Sequence, residues 1–100
     1  MTANNTSLQI INPTANVAGA VVRTATLQLY GAGIAYLITG TSAPGPVGVN
    51  TPVIACHNST QASGMTVPYS IELAPGKGLW LRAEGALGGG TNVSYDLYSA

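Results

Sequence analysis

Charge is what this 100-residue sequence has least of. Three basic and three acidic residues give a formal net charge of zero at pH 7, and charged residues make up 6% of the chain. Ordinary soluble domains carry about 25% charged residues. Proteins near zero net charge associate more readily than charged ones. The composition therefore favours a protein whose surface is covered by other protein, over a free domain that takes its surface polarity from Thr, Ser and Asn.

The same scarcity excludes several functional classes. Without a basic patch, electrostatic binding of nucleic acid is not expected. The most apolar window, residues 25–38, contains Gln28 and is shorter than the roughly 20 residues of a membrane span. Residues 1–5 are polar and show no signal-peptide pattern. We expect a soluble protein made in a cytoplasm, with neither nucleic acid nor membrane among its partners.

Cysteine and histidine are as scarce as they can be without being absent. One cysteine, Cys56, cannot form an internal disulfide, and with the one histidine, His57, it falls short of the three or four ligands of a zinc site. As neighbours in a predicted strand they point to opposite faces, so they do not form a nucleophile and base pair. The glycine-rich stretches 31–33 and 85–91 lack the spacing or the lysine of a nucleotide-binding loop. We expect no cofactor, no metal and no catalytic residue.

Three carboxylates remain as candidates for chemistry. Glu72, Glu84 and Asp96 lie on successive predicted strands, all in the outward phase. Two of them could approach each other across a sheet, as the acid pair of a glycosidase does. Lys77 and Arg82 lie nearby in the sequence, so ion pairing or solvation is the favoured interpretation. A glycosidase-like fragment stays a remote alternative, and we predict that the protein is not an enzyme.

What the sequence does have is alternation, and its longest readable period is VVRTATLQLY at residues 21–30. Such a period predicts a strand with one dry face and one hydroxyl-rich, uncharged face. Arg23 interrupts the dry face. It is expected either as a buried charge paired with Glu72 or Asp96, or, preferably, near a strand end from which it reaches solvent. The dry side is Val21, Ala25, Leu27 and Leu29, and the other side is Val22, Thr24, Thr26, Gln28 and Tyr30.

Shorter segments of the same kind follow along the chain, separated by Gly/Pro turns. The cleanest alternation is at residues 65–73, where Pro68 lacks an amide donor and indicates an edge strand or a bulge. No segment has a convincing helical period. Seven or eight short strands predict one antiparallel β-sandwich over residues 1–100, jelly-roll or immunoglobulin-like. Residues 1–7 are expected to form a flexible N-terminal arm, residues 85–91 a flexible loop, and residues 53–57 a buried strand.

Three aromatic side chains are predicted on outward faces. If Leu79 and Leu81 face the core, Trp80 faces out, and the same phase places Tyr30 and Tyr98 outside. Exposed aromatics on an almost uncharged surface indicate a protein contact or a platform for stacking sugars. For Trp80, a cover formed by the chain's own arm or by a loop is an equal alternative. The predicted interface residues are Trp80, Tyr30, Tyr98, Thr24, Thr26 and Gln28.

Three stretches together resemble a known group of proteins. The strand VVRTATL at residues 21–27, the hairpin IELAPGKGLWLRA at 71–83 and the closing VSYDL at 93–97 resemble small β-sandwich structural proteins of tailed-bacteriophage virions. The proline-rich residues 40–52 are not part of that pattern. The resemblance implies a capsid decoration (cement) protein or a tail accessory protein, multimeric on the particle. It supplies no set of functional residues.

The resemblance and the low charge lead to one expectation about function. We expect a non-enzymatic virion structural protein, a capsid decoration subunit that stabilises the shell through protein–protein contacts. Its partners would be other virion proteins, of the capsid or the tail, and further copies of itself in a homo-oligomer. It would be made in the host cytoplasm and reside in the virion. The alternative is a carbohydrate- or receptor-binding module of a phage tail or fibre, with Trp80 and a tyrosine as the stacking platform.

Overall fold

The computed structural model describes residues 6–48, 50–85 and 88–98, and none of these residues is helical. Eight strands form two antiparallel sheets that enclose one hydrophobic core. The fold is therefore a β-sandwich, as the short alternating segments predict. The strands are β1 Thr6–Ile11, β2 Ala20–Leu29, β3 Gly33–Gly40, β4 Val53–Ser59, β5 Ser63–Thr66, β6 Ile71–Leu73, β7 Gly78–Gly85 and β8 Gly89–Leu97.

The two sheets differ in width. The wide sheet has four strands in the order β1-β7-β3-β4. The narrow sheet is built on β2, which pairs with β8 along its whole length. The other edge of β2 is shared by β5, opposite residues 26–29, and β6, opposite residues 20–22. The narrow sheet is thus only three strands across.

The core is filled by alternate residues of both sheets. Leu79 and Leu81 of β7 are fully buried in it, which confirms the phase predicted for that strand. From the facing sheet, Leu27 and Leu29 of β2 pack into the same cluster. Burying a leucine side chain contributes roughly 1.5–3 kcal/mol, so this inner layer is what holds the two sheets together.

One extra residue changes the phase of β2. Val22 pairs with Tyr95 and Thr24 with Ser94, so Arg23 has no residue opposite it and forms a β-bulge. The predicted dry face is therefore wrong before the bulge: Val22, and not Val21, belongs to the core cluster. Arg23 is exposed, as the preferred expectation had it, but it lies inside β2 and not at its end. The core-facing residues of β2 are Ala20, Val22, Ala25, Leu27 and Leu29.

Pro68 divides the predicted strand 65–73 in two. The segment does lie at a sheet edge, as the missing amide donor predicts, but β5 ends at Thr66 and β6 begins at Ile71. The amide of Val67 still donates to the carbonyl of Ala25 at 2.9 Å. Val67 is buried in the core, so the two short strands are joined through a packed residue.

Three further expectations need correction. The predicted arm 1–7 is too long, because Thr6 and Ser7 already pair with β7; residues 1–5 lie outside the described residues. The predicted loop 85–91 is too long as well, since β8 begins at Gly89, where the sheets approach so closely that a Cβ would lie 3.3 Å from that of Ala83. Strand β4 is half exposed and its Cys56 is exposed, because it is an outer strand of the wide sheet.

Candidate interaction surfaces

One part of the outer side of the narrow sheet is a hydroxyl-rich surface without charge, here called the threonine face. Thr24 is paired with Ser94, and Thr26 lies between Asn92 of β8 and Thr66 of β5. Paired residues of neighbouring strands point to the same side. The register therefore brings three of the predicted interface residues together and adds three that the single-strand period did not reveal. The threonine face consists of Thr24, Thr26, Gln28, Thr66, Asn92 and Ser94.

Hydrogen bonds order the middle of the threonine face. The hydroxyls of Thr24 and Ser94 are 2.7 Å apart and share a hydrogen bond. The amide of Asn92 donates to the hydroxyl of Thr26 at 3.2 Å. A shallow cavity of about 240 Å³ opens between β2 and β5, lined in part by Thr26, Gln28 and Thr66. The face therefore offers neutral donors and acceptors whose side chains are already held in place.

Tyr30 lies at one end of the threonine face. It follows β2 directly and is exposed, as its phase predicts. Its hydroxyl sits over Gly90, where a Cβ would come within 2.7 Å of it. A side chain at position 90 would displace the tyrosine, so the glycine holds the ring against the sheet. Tyr30 thus adds an aromatic group to an otherwise aliphatic and polar surface.

Two polar pairs lie at the opposite end of the narrow sheet. Arg23 forms an exposed ion pair with Asp96, one of the two partners considered for it. The hydroxyl of Tyr98 donates to Glu72 at 3.0 Å, and this hydrogen bond raises the pKa of the tyrosine. Val21 is buried between Glu72 and Asp96 in the register. Tyr98 is therefore exposed as predicted, yet it belongs to this polar end and not to the threonine face.

On the outer side of the wide sheet, the sequence predicted an exposed Trp80, and this prediction is wrong. Trp80 points away from the core, as its phase requires, but only 2% of it is exposed, so it cannot be an interface residue of the folded chain. The alternative, a cover formed by the chain itself, is confirmed. The proline-rich residues 41–48, here called the strap, cross this face. Ser7 donates to the carbonyl of Pro44 at 3.0 Å, and the amide of Val47 donates to Glu84 at 3.1 Å.

A largely buried ion pair holds the strap. Arg82 Nε donates to Glu84 Oε2 at 2.7 Å, and Arg82 Nη1 donates to the Ser7 hydroxyl at 3.3 Å. Both strap contacts therefore run through the same network. The hydrogen bond from Arg82, followed by that from the Val47 amide, holds the pKa of Glu84 below its ordinary value. Removing one partner of a buried ion pair costs several kcal/mol. The pair is therefore costly to break, and the strap that is hydrogen-bonded to it is held in one position.

A cleft of about 470 Å³ lies between the strap region and the end of β3. None of the described residues that line it is charged or aromatic. It offers hydroxyls such as those of Thr39 and Thr51, the carboxamide of Asn50, and proline rings. Such a lining has no group suited to acid–base chemistry and no surface for stacking a ring.

The remaining candidates for chemistry are dispersed. Glu84 lies on the wide sheet, away from Glu72 and Asp96, which flank β2 and are each hydrogen-bonded to another side chain. His57 shares a hydrogen bond of 2.8 Å with Ser63. Across the described ranges, no group of three or more His, Cys, Asp or Glu residues could hold a metal ion.

Comparison of the chain with protein-family models, with curated proteins and with solved structures gives no match. Within the described part of the chain, no helix is long and apolar enough to cross a membrane. The threonine face and its surroundings are therefore the features on which a functional proposal has to rest.

Proposed function

We propose that this chain is a virion structural protein, a capsid decoration subunit that binds the particle through its threonine face. The observation that carries the proposal is the neutrality of that face. Six polar side chains from three strands form it, and none of them is charged. A surface of this kind has little electrostatic hydration to lose when another protein covers it.

The distribution of the few charges supports the same function. Four of the six charged residues form two ion pairs, Arg23 with Asp96 and Arg82 with Glu84. The first pair lies at one end of the narrow sheet, and the second lies beneath the strap. Binding through the threonine face would therefore depend weakly on salt, since screening affects mainly contacts between exposed charges. A specific contact should bury more than about 1,000 Å² in total.

The assignment to a virion, as distinct from any other assembly, rests on the strand chemistry shared with structural proteins of tailed-phage particles. Those stretches lie in β2, β6, β7 and β8 of the structure. The expected hairpin at residues 71–83 is wrong, because β6 pairs with β2 in the narrow sheet and β7 lies in the wide sheet. The alternative of a sugar-binding module loses its main support, because Trp80 is buried in the folded chain and cannot stack on a ligand. We therefore propose capsid decoration and not sugar binding.

Particle binding tests this proposal. Purified protein is added to capsids of the encoding phage assembled without it, and bound protein is measured after sedimentation through sucrose. We expect saturable binding by the natural chain and at least a tenfold loss for Thr24→Lys, because a desolvated, unpaired ammonium costs well over 1.4 kcal/mol.

Thr60→Lys is the matched control, since Thr60 is also exposed but lies in the turn between β4 and β5. It should bind like the natural chain. Equal binding by Thr24→Lys and Thr60→Lys would contradict a role for the threonine face, and no binding by the natural chain would contradict capsid decoration.

A further inference from the structure

Among the described residues, the narrow sheet is one strand narrower than the wide sheet. Across the core, β8 packs against β7 and β3, β2 against β3 and β4, and β5 against β4. Strand β1 lies beyond β7 at the margin of the wide sheet. None of the described strands of the narrow sheet packs across β1 to a comparable extent. A fourth strand beside β8 would lie opposite β1 and make the two sheets equal in width.

Apolar side chains that should be inside are exposed around this vacancy. Leu8 pairs with Leu81 and therefore points to the core side, yet it is 44% exposed, whereas Leu81 is fully buried. Tyr95 pairs with the buried Val22, and it too points inward while 39% exposed. Leu97, opposite the buried Ala20, is 43% exposed. Three large inward-facing side chains thus remain open to solvent.

The backbone of β8 is open on the same side. Of the described strands, only β2 pairs with it, so its nine residues present a row of free amide and carbonyl groups on the far edge. Natural proteins protect such edges with proline, lysine, bulges or interruptions. Strand β8 contains neither proline nor lysine, and its one charged residue, Asp96, is already paired with Arg23.

The other outer strands are all protected. Pairing shifts leave Ile10 of β1 and Ile54 of β4 without a residue opposite, and both are therefore bulged. The opposite edge of the narrow sheet is interrupted at Pro68, between β5 and β6. Among the outer strands, β8 is therefore the one suited to accept another strand.

We propose that β8 pairs with β8 of a second copy of this chain, antiparallel about a two-fold axis, so that each copy supplies the strand the other lacks. The fitting register places Ser94 opposite the partner's Ser94. Val93 then faces the partner's Tyr95, and Thr91 faces the partner's Leu97. The inward side chains of the added strand would cover Leu8, and the narrow sheets would join into one sheet that is six strands across.

Charge selects this register. With Ser94 on the axis, Asp96 lies opposite the partner's Asn92, a hydrogen-bond donor. The register that brings Val93 onto the partner's Val93 would place Asp96 opposite the partner's Gly90, which has no side chain to donate to it, and a register centred on residue 96 would oppose two carboxylates. Strand β8 also has the apolar alternation, Val93, Tyr95 and Leu97, that the vacancy beside it requires.

This pairing uses the edge of the narrow sheet and leaves its threonine face free, so it does not depend on capsid decoration. Sedimentation equilibrium at micromolar concentration tests it. We expect the natural chain to have the mass of two chains and Tyr95→Lys to be a folded monomer, because an inward lysine at an open edge blocks strand addition. Folding is checked by circular dichroism.

Tyr69→Lys is the matched control, with the same exchange on an exposed tyrosine in the segment between β5 and β6. It should remain a dimer. A monomeric natural chain, or a Tyr95→Lys protein as dimeric as Tyr69→Lys, would overturn the proposal. If Tyr95→Lys does not fold, the pairing is tested by cross-linking Ser94→Cys, made in a Cys56→Ser background.

Residues directly opposite in antiparallel strands have Cβ atoms about 4.5–5.5 Å apart, within reach of a short thiol cross-linker. The Ser94→Cys protein should therefore cross-link to a covalent dimer at low concentration. Ser70→Cys, exposed on the far side of the narrow sheet, should not. Equal cross-linking of the two variants would overturn the register and the edge that we assign.

Discussion

The ion pair of Arg82 and Glu84 shows how one residue can decide the position of a whole segment. Its two side chains contact Ser7 and the amide of Val47, and through them both ends of the strap are tied to the sheet. Arg82 is buried, so its charge depends on Glu84 for compensation. The carboxylate form of Glu84 therefore stabilises the folded chain.

Replacing Glu84 by Gln should lower the free energy of unfolding by about 1–3 kcal/mol at neutral pH, since a hydrogen bond to a charged group is lost. The pKa of Glu84 is lowered in the folded chain from an ordinary value of 4.5. The stability that it contributes is therefore fully present above that value and is lost as pH falls through the lowered pKa. Urea unfolding curves at several pH values measure this.

The difference in stability between the natural chain and Glu84→Gln should close as the pH is taken below 4.5. Glu72→Gln, at an exposed carboxylate, is the control and should change stability by less than about 0.5 kcal/mol. A difference for Glu84→Gln that stays constant down to strongly acidic pH would show that the carboxylate charge does not hold the strap.

Among the strands, β2 owes its phase to the bulge at Arg23. Val22 and Ala25 both face the core although they are three positions apart in the sequence, which regular alternation forbids. The extra residue is what allows this. The charge of Arg23 matters less, because its ion pair with Asp96 is exposed and solvent screens such pairs strongly.

Deleting Arg23 should therefore be tolerated about as well as replacing it. Without the extra residue, Val22 and Thr24 become neighbours, and regular alternation still places Val22 and Ala25 on the core side. Arg23→Thr keeps the bulge and loses only an exposed ion pair, so it should change stability little. Thermal unfolding followed by circular dichroism compares the two variants with the natural chain. A large drop in melting temperature on deletion alone would contradict the bulge as the origin of the phase.

Local pattern predicted each strand better than it predicted what covers it. The alternation at residues 79–83 correctly placed Trp80 on the outer face of β7 and Leu79 and Leu81 on its core face. Its burial depends on other segments of the folded chain, and no period within β7 carries that information. The bulge at Arg23 could not be predicted either. In the sequence, an extra polar residue that forms a bulge cannot be distinguished from a charged residue on the apolar face of a regular strand.

At the scale of the whole molecule, composition and turn pattern were enough to predict a β-sandwich of about eight strands without helices. They also placed Thr24, Thr26, Gln28 and Tyr30 on one outer surface. The contributions of Thr66, Asn92 and Ser94 to that surface could not be predicted, because they depend on which strands flank β2. The unequal width of the sheets depends on the same long-range pairing.

The most direct test of the central claim is the protein content of the particle. Under the proposed function a tailed phage encodes this chain, so its virions are purified by density gradient and their proteins are quantified by mass spectrometry. We expect this chain at a fixed, simple ratio to a capsid or tail protein. Its presence in infected cells together with its absence from purified virions would contradict a structural role in the particle.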